Sequence, residues 1–166
     1  MKNIVLIGMP GCGKSTFGKR MAKRLLLPFY DADTVLEERE QRTIKSFFAE
    51  SEEAFRAAET RTLAYLAECD GAVIATGGGA VKRAENMELL KRGGVVVFID
   101  RKPANIIGCI AGDARPLLAA DKQKLYTLYN ERIALYRRYA DYTIDNNGDF
   151  GRVLHELLNI AAKLEG

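Results

Sequence analysis

The chain has 166 residues, 48% of them hydrophobic and 28% charged, which is enough apolar material for one α/β core and too little chain for a second domain. Its 25 basic and 22 acidic residues are mixed along the sequence and leave a formal charge of +3, so no basic tail or stripe marks a nucleic-acid partner, and the small excess suits small anionic ligands. Three cysteines, Cys12, Cys69 and Cys109, lack metal-ligand spacing and argue for a reducing compartment without a disulfide framework. The opening apolar run is too short for a signal peptide, and no segment approaches the ~20 apolar residues that span a bilayer, so the expectation is a cytoplasmic protein with no membrane partner.

Lys2 to Ile7 reads as a buried strand, and it runs into Gly8-Met9-Pro10-Gly11-Cys12-Gly13-Lys14-Ser15-Thr16. The spacing from Gly8 to Gly13-Lys14-Ser15 fits a phosphate-binding loop, whose glycines free the backbone to wrap its N–H groups around a polyphosphate. The helix that follows, with Phe17, Met21, Ala22 and Leu25 on its apolar face, supplies the context a chance match would lack. Gly11, Cys12, Gly13, Lys14, Ser15 and Thr16 are thus the expected nucleotide contacts. Lys14 can reach the β/γ oxygens and the Ser15 hydroxyl can ligate Mg²⁺, while Cys12 holds a spacer position whose side chain the pattern does not use.

Pro28 to Asp31 reads as a short second strand ending in Asp31-Ala32-Asp33. Residues two apart in extended backbone share a face, so both carboxylates can project toward the phosphate loop, the plainer alternative being that Asp33 merely caps the helix through Val35, Leu36 and Arg39. Thr43 to Cys69 is helical with a break near Ser51. Glu52, Arg56 and Glu59 share one helical face, which on its own reads as a surface ion-pair ladder, and Phe47, Phe48 and Phe55 read as core or as a pocket wall. Ala72 to Ala75 is a third strand leading into Gly77-Gly78-Gly79, a run that is costly to order unless a ligand or another backbone comes close.

Val95 to Ile99 is the fourth strand, reached through a helix around Met87, Leu89 and Leu90. Residues 106–120, with Gly108, Gly112 and the lone Arg115, read as a mobile cover. Asp121 to Ala140 is a long helix carrying Arg132 between Tyr129 and Tyr136, with Arg137 and Arg138 on a solvated face. Tyr142 to Ile144 makes a fifth strand and Val153 to Leu164 a closing helix whose His155 reads as surface. Strands alternating with crossover helices predict a five-stranded parallel sheet with helices on both faces, with ligands at the carboxyl ends of the strands.

Taken together, the phosphate loop, Asp31-x-Asp33, Glu52-x-x-Phe55-Arg56-x-x-Glu59, Gly77-Gly78-Gly79, Arg115-Pro116-Leu117-Leu118 and Glu131-Arg132 followed by Leu135-Tyr136 resemble the shikimate kinases, in order along nearly the whole chain. The resemblance implies a nucleoside monophosphate kinase-like P-loop fold, a monomer, and transfer of the γ-phosphoryl group of MgATP to the 3-hydroxyl of shikimate in the pathway to chorismate and aromatic amino acids. It implies Lys14 on the moving phosphoryl group, and Ser15 and Asp31 on one Mg²⁺. It further implies Asp33 on the shikimate hydroxyls and placed to take the attacking proton, Arg56 and Arg132 on the shikimate carboxylate, backbone N–H groups near Gly78 and Gly79 on the same substrate, and Arg115 on the phosphates. Two departures stand out: Ser51 where the family usually has glycine, and an apolar Ile106-Ile107-Gly108-Cys109-Ile110 where family members usually place arginine or other polar residues, often to stack on adenine. The rival readings are another small kinase, for gluconate or a nucleotide, and a non-catalytic nucleotide-binding module. A GTPase switch is disfavoured because no Asn-Lys-x-Asp segment occurs.

Overall fold

The computed structural model describes residues 1–110 and 119–165. Strand β1, Asn3–Ile7, is followed by helix α1, Lys14–Leu25, and β2, Phe29–Asp31; then come α2, Ala32–Glu40, α3, Ile44–Glu50, and α4, Glu52–Ala67. Next are β3, Val73–Ala75, a single 3₁₀ turn at Ala80–Lys82, α5, Ala84–Arg92, and β4, Gly94–Asp100. The remainder is α6, Pro103–Ile110, α7, Ala119–Tyr139, β5, Tyr142–Asp145, and α8, Phe150–Glu165.

All strand pairs are parallel and the order is β2-β3-β1-β4-β5, so β1 is central, paired through Val5 with Ile74 on one side and with Val96 on the other. Every residue of β1 is buried, and Val96 to Ile99 of β4 are as well; side chains pointing both ways from a strand can all be buried only when helices cover both faces. The expected sheet is therefore the observed one.

Local chemistry explains the element boundaries. Ser51 separates α3 from α4 by accepting a hydrogen bond from the Ala54 N–H at 3.0 Å, an N-cap that needs no glycine because its backbone is extended. Thr43 caps α3 in the same way through the Ser46 N–H. Residues 106–110, the start of the segment expected to form a mobile cover, belong to α6, and Ile106 is fully buried beside Gly11 of the phosphate loop, while residues 111–118 of that segment lie outside the described residues. Arg115 lies outside the described residues.

One buried amide ties the sheet together. Asn3 donates from Nδ2 to the Cys69 carbonyl at 2.8 Å and accepts the Ala72 N–H at 2.9 Å, pinning the turn that leads into β3 against the start of β1. Asn3→Ala should leave both backbone groups without partners in the interior, each worth about 1–3 kcal/mol. The expected result is a loss of about 2–4 kcal/mol in a urea unfolding titration, with the m-value unchanged.

Candidate active site

The loop between β1 and α1 turns on glycine. Gly11 and Gly13 have φ of 79° and 104°, left-handed values that an L side chain rarely adopts. Gly13 precedes α1 without a side-chain cap, so the first N–H groups of that helix remain available to an anion. They face a cavity of about 290 Å³ lined by Gly11, Gly13, Lys14, Ser15, Thr16 and Arg101. Lys14 is only 8% exposed; its ammonium donates to the Gly8 carbonyl at 2.7 Å and the Met9 carbonyl at 2.9 Å, and among the described residues it forms no ion pair. Carbonyl dipoles solvate this charge without neutralising it, which is the electrostatic condition for drawing in a polyanion. Cys12 packs its side chain beneath the loop, fully buried, while its carbonyl accepts a hydrogen bond from Asn146 Nδ2 at 2.8 Å.

At the end of β2 the two aspartates divide their work differently from the capping alternative. Asp31, not Asp33, caps α2: its Oδ1 accepts the N–H groups of Asp33 at 3.0 Å and Thr34 at 3.3 Å, and its Oδ2 accepts the Ser15 hydroxyl at 2.7 Å. The capping bonds rigidly aim Asp31 at the phosphate loop. They also leave the Asp33 carboxylate free to face Gly77, where a Cβ would come within 3.1 Å of Asp33 Oδ1. Burial first, then the neighbouring charge of Asp31, push the Asp33 carboxyl above the usual 3.8, against the pull of Lys14 and Arg56. The Ser15 hydroxyl and Asp31 Oδ2 are hard oxygen donors side by side at the edge of the anion cavity, a pair that suits a magnesium ion completing its octahedron with water and phosphate oxygens.

Across from the loop, α4 presents Arg56. It is 9% exposed and its Nη1 meets Glu59 Oε1 at 2.9 Å, whereas Glu52 Oε1 lies 3.5 Å from Nε without a hydrogen bond and is shared with exposed Lys82. The three residues are therefore no surface ladder. Arg56 and Glu59 form a buried pair, and Arg56 Nε, buried and without a hydrogen bond, has the exposed Glu52 carboxylate at ion-pair distance. Burial drives the Glu59 carboxyl up from its usual range, with the Arg56 charge opposing it.

The three glycines after β3 explain themselves through their neighbours. A Cβ at Gly79 would fall 2.5 Å from both terminal nitrogens of Arg56, and one at Gly78 would fall 2.7 Å from Pro10 Cδ and 3.2 Å from Arg132 Nη1. Only bare backbone lets Arg56, Arg132, Asp33 and the phosphate loop converge on this turn. Tyr136, one turn beyond Arg132 on α7, is fully buried and donates its hydroxyl to the Gly78 carbonyl at 2.6 Å. Burial pushes its phenol up to about 12, so it stays a donor at every working pH. In the sequence its i, i+4 spacing from Arg132 is the available signal, and the hydrogen bond to Gly78 is visible only in the fold. Asn146 and Arg101 were missed outright, because nothing local ties them to the phosphate loop. Phe47 and Phe55 pack in a small cluster with Leu36 and Ala58, Phe48 stacks on Phe55 from the exposed side, and His155 is exposed.

Comparison with known proteins is consistent along the chain. The family model described as shikimate kinase matches residues 10–161. A shikimate kinase of Clostridium botulinum is 43% identical over 161 residues, covering 96% of this chain and 98% of its own, and one of Pseudomonas syringae is 42% identical over 168 residues, covering 99% and 96%. The solved structure of an Acinetobacter baumannii shikimate kinase in complex with shikimate superposes with a TM-score of 0.88 at 36% identity, covering 99% of this chain and 94% of that one. With the phosphate loop, the paired aspartates and the arginines around the glycine turn already in place, the chain belongs to the shikimate kinase family, ATP-dependent phosphotransferases of the shikimate pathway to aromatic amino acids.

Proposed function

We propose that MgATP enters over the phosphate loop, that shikimate lies between Arg56, Arg132 and the glycine turn, and that the γ-phosphoryl group passes to the shikimate 3-hydroxyl, giving shikimate 3-phosphate and ADP. The observation that carries this reading is the convergence of both terminal nitrogens of Arg56 on the Gly79 backbone and of Arg132 Nη1 on the adjoining Gly78. Two guanidiniums there can grip one small carboxylate with charge-assisted, bidentate hydrogen bonds. Lys14 then spreads its charge over the transferring phosphoryl oxygens. Ser15 and Asp31 would hold Mg²⁺, which would neutralise phosphate charge. Arg115 keeps the phosphate-directed role that its place in Arg115-Pro116-Leu117-Leu118 implies.

Asp33 sits where it can accept a hydrogen bond from the substrate hydroxyl and take its proton as the oxygen attacks. Phosphoryl transfer otherwise asks for positioning and charge neutralisation rather than a covalent intermediate, and these residues supply both. A coupled ADP-release assay across shikimate, gluconate and nucleoside monophosphates tests the substrate; turnover is expected with shikimate alone.

Replacing Lys14 by Ala removes the loop's cation, and kcat should fall by about 10²-fold or more while the thermal melt stays cooperative. Arg132→Ala should raise the shikimate Kd by about 10- to 100-fold in calorimetric titration, the range for one charged hydrogen bond, with ADP affinity almost unchanged. Arg56→Ala should do the same and also destabilise the fold, since Glu59 would lose its buried counter-charge.

Asp33 sets the pH dependence. Because its carboxyl is raised, it holds its proton at acidities where an ordinary aspartate is ionised, so kcat/KM should fall on the acid side at a pH above 3.8. Folding stability follows the opposite sense: the buried charge is unfavourable, so the Asp33 contribution is best below the unfolded-state pKa and is lost as pH rises through the folded one. Asp33→Asn should therefore show a flattened acid limb with much lower turnover, and a Tm above wild type at neutral pH that converges with it on acidification.

A further inference from the structure

Of the two cations lining the phosphate cavity, Arg101 is the one that the chemistry above does not use, and three observations mark it. First, it follows the last residue of β4 and lines the phosphate cavity together with Gly11, Gly13, Lys14, Ser15 and Thr16. Second, the same side chain lines a neighbouring cavity of about 370 Å³ formed with Ala104, Asn105, Gly108, Asn146, Asn147 and Gly148, and is the only charged residue there among those described. Third, its Nε is buried without a hydrogen-bond partner, and among the described residues it makes no ion pair. A guanidinium held at the junction of two cavities, with a desolvated and unused donor, is poised for a ligand that occupies both.

The second cavity has the character of a slot for something flat and polar. Its carboxamides are largely committed to the wall itself: Asn147 Oδ1 accepts from the Lys102 N–H at 2.9 Å and from Asn105 Nδ2 at 2.7 Å, Asn147 Nδ2 donates to Asp145 Oδ1 at 2.6 Å, and Asn146 Nδ2 donates to the Cys12 carbonyl. A Cβ at Gly108 or Gly148 would meet nothing within 4 Å, so these glycines keep the slot open rather than permit a close contact. A nucleoside triphosphate whose phosphates fill the first cavity carries its base toward the second, away from the Arg56 and Gly79 side.

We infer that Arg101 is the specificity-determining cation of the nucleotide's base end, laying its guanidinium plane against the nucleobase where the two cavities meet. A planar, weakly hydrated guanidinium is suited to that contact, whereas an ammonium would serve only as a point charge. The inference rests on the reading that a nucleoside triphosphate binds over the phosphate loop.

The test measures binding of ADP, inorganic tripolyphosphate and shikimate to the wild-type enzyme, Arg101→Ala and Arg101→Lys by calorimetry, with steady-state KM and kcat alongside. Both variants should bind ADP about tenfold or more weakly and show a matching rise in KM for ATP, since a base stacked on a side chain contributes at that level. Their affinity for tripolyphosphate and shikimate should stay within about twofold of wild type, and kcat should change little. Should the alanine variant fail to fold, the lysine variant, which keeps the stem and the charge, carries the same comparison. Unchanged ADP affinity overturns the inference. So does an equal loss for tripolyphosphate that lysine restores, which would make Arg101 a phosphate contact. A wild-type enzyme that binds no ADP overturns the underlying reading of the phosphate loop as well, whereas wild-type binding with indifferent variants removes only the role of Arg101.

Discussion

An uncompensated positive charge at the centre of the molecule sets the terms for the rest of the structure. Lys14 is buried, its ammonium held by two carbonyls of the loop it closes, with no ion-pair partner among the described residues. Desolvating a cation without a counter-charge is unfavourable, and the fold sustains it with the Gly8 and Met9 carbonyl dipoles, while the positive start of α1 adds to the field that draws in an anion. The loop must therefore be rigid before any ligand arrives. Its rigidity comes from below, through the fully buried Cys12 side chain, and from the far end of the chain, through Asn146 on the Cys12 carbonyl.

The acid side of the site follows a related logic with the signs mixed. Arg56 and Glu59 are buried together, and Arg132 and Asp33 complete a cluster in which both carboxyls are held above their usual range by burial. Such a cluster adds little to stability, because desolvation offsets much of the mutual attraction. Its value lies in geometry. Arg56 is clamped by Glu59 with its terminal nitrogens against Gly79, and Asp33 is freed from capping because Asp31 does that work.

The two halves meet at the glycine turn, where the absence of a side chain allows a close approach. Gly78 abuts Pro10 of the phosphate loop, and the Tyr136 hydroxyl holds the Gly78 carbonyl from the opposite side. The phosphate loop and the arginines around the glycine turn are thus held in one arrangement by three elements that are far apart in sequence: the loop after β1, the turn after β3, and α7. Transfer between two bound substrates needs this kind of register, since small misplacement of the reacting atoms is costly to the rate.

Much of this was legible in the residues alone, for reasons that are local. Apolar runs of four to six residues alternating with helical periodicity specify the parallel sheet, because a strand buried on both faces has little other sequence solution. The phosphate loop is legible because positive φ at Gly11 and Gly13 is a backbone requirement written in the residue type itself. The glycine run could be identified as a close approach, but not what approaches it. That Gly77 faces Asp33, Gly78 faces Arg132 and Gly79 faces Arg56 was decided only when β2, α4 and α7 packed around β3. Which aspartate caps α2, whether Arg56 is buried or on a surface ladder, and that Ile106 belongs to the core were likewise settled by tertiary contact. Capping, pairing and burial each depend on the partner that arrives from elsewhere in the chain. Arg101 and Asn146 show the limit most clearly: neither carries any motif, and both reach the nucleotide side only because the ends of β4 and β5 lie next to the loop after β1 in a parallel sheet.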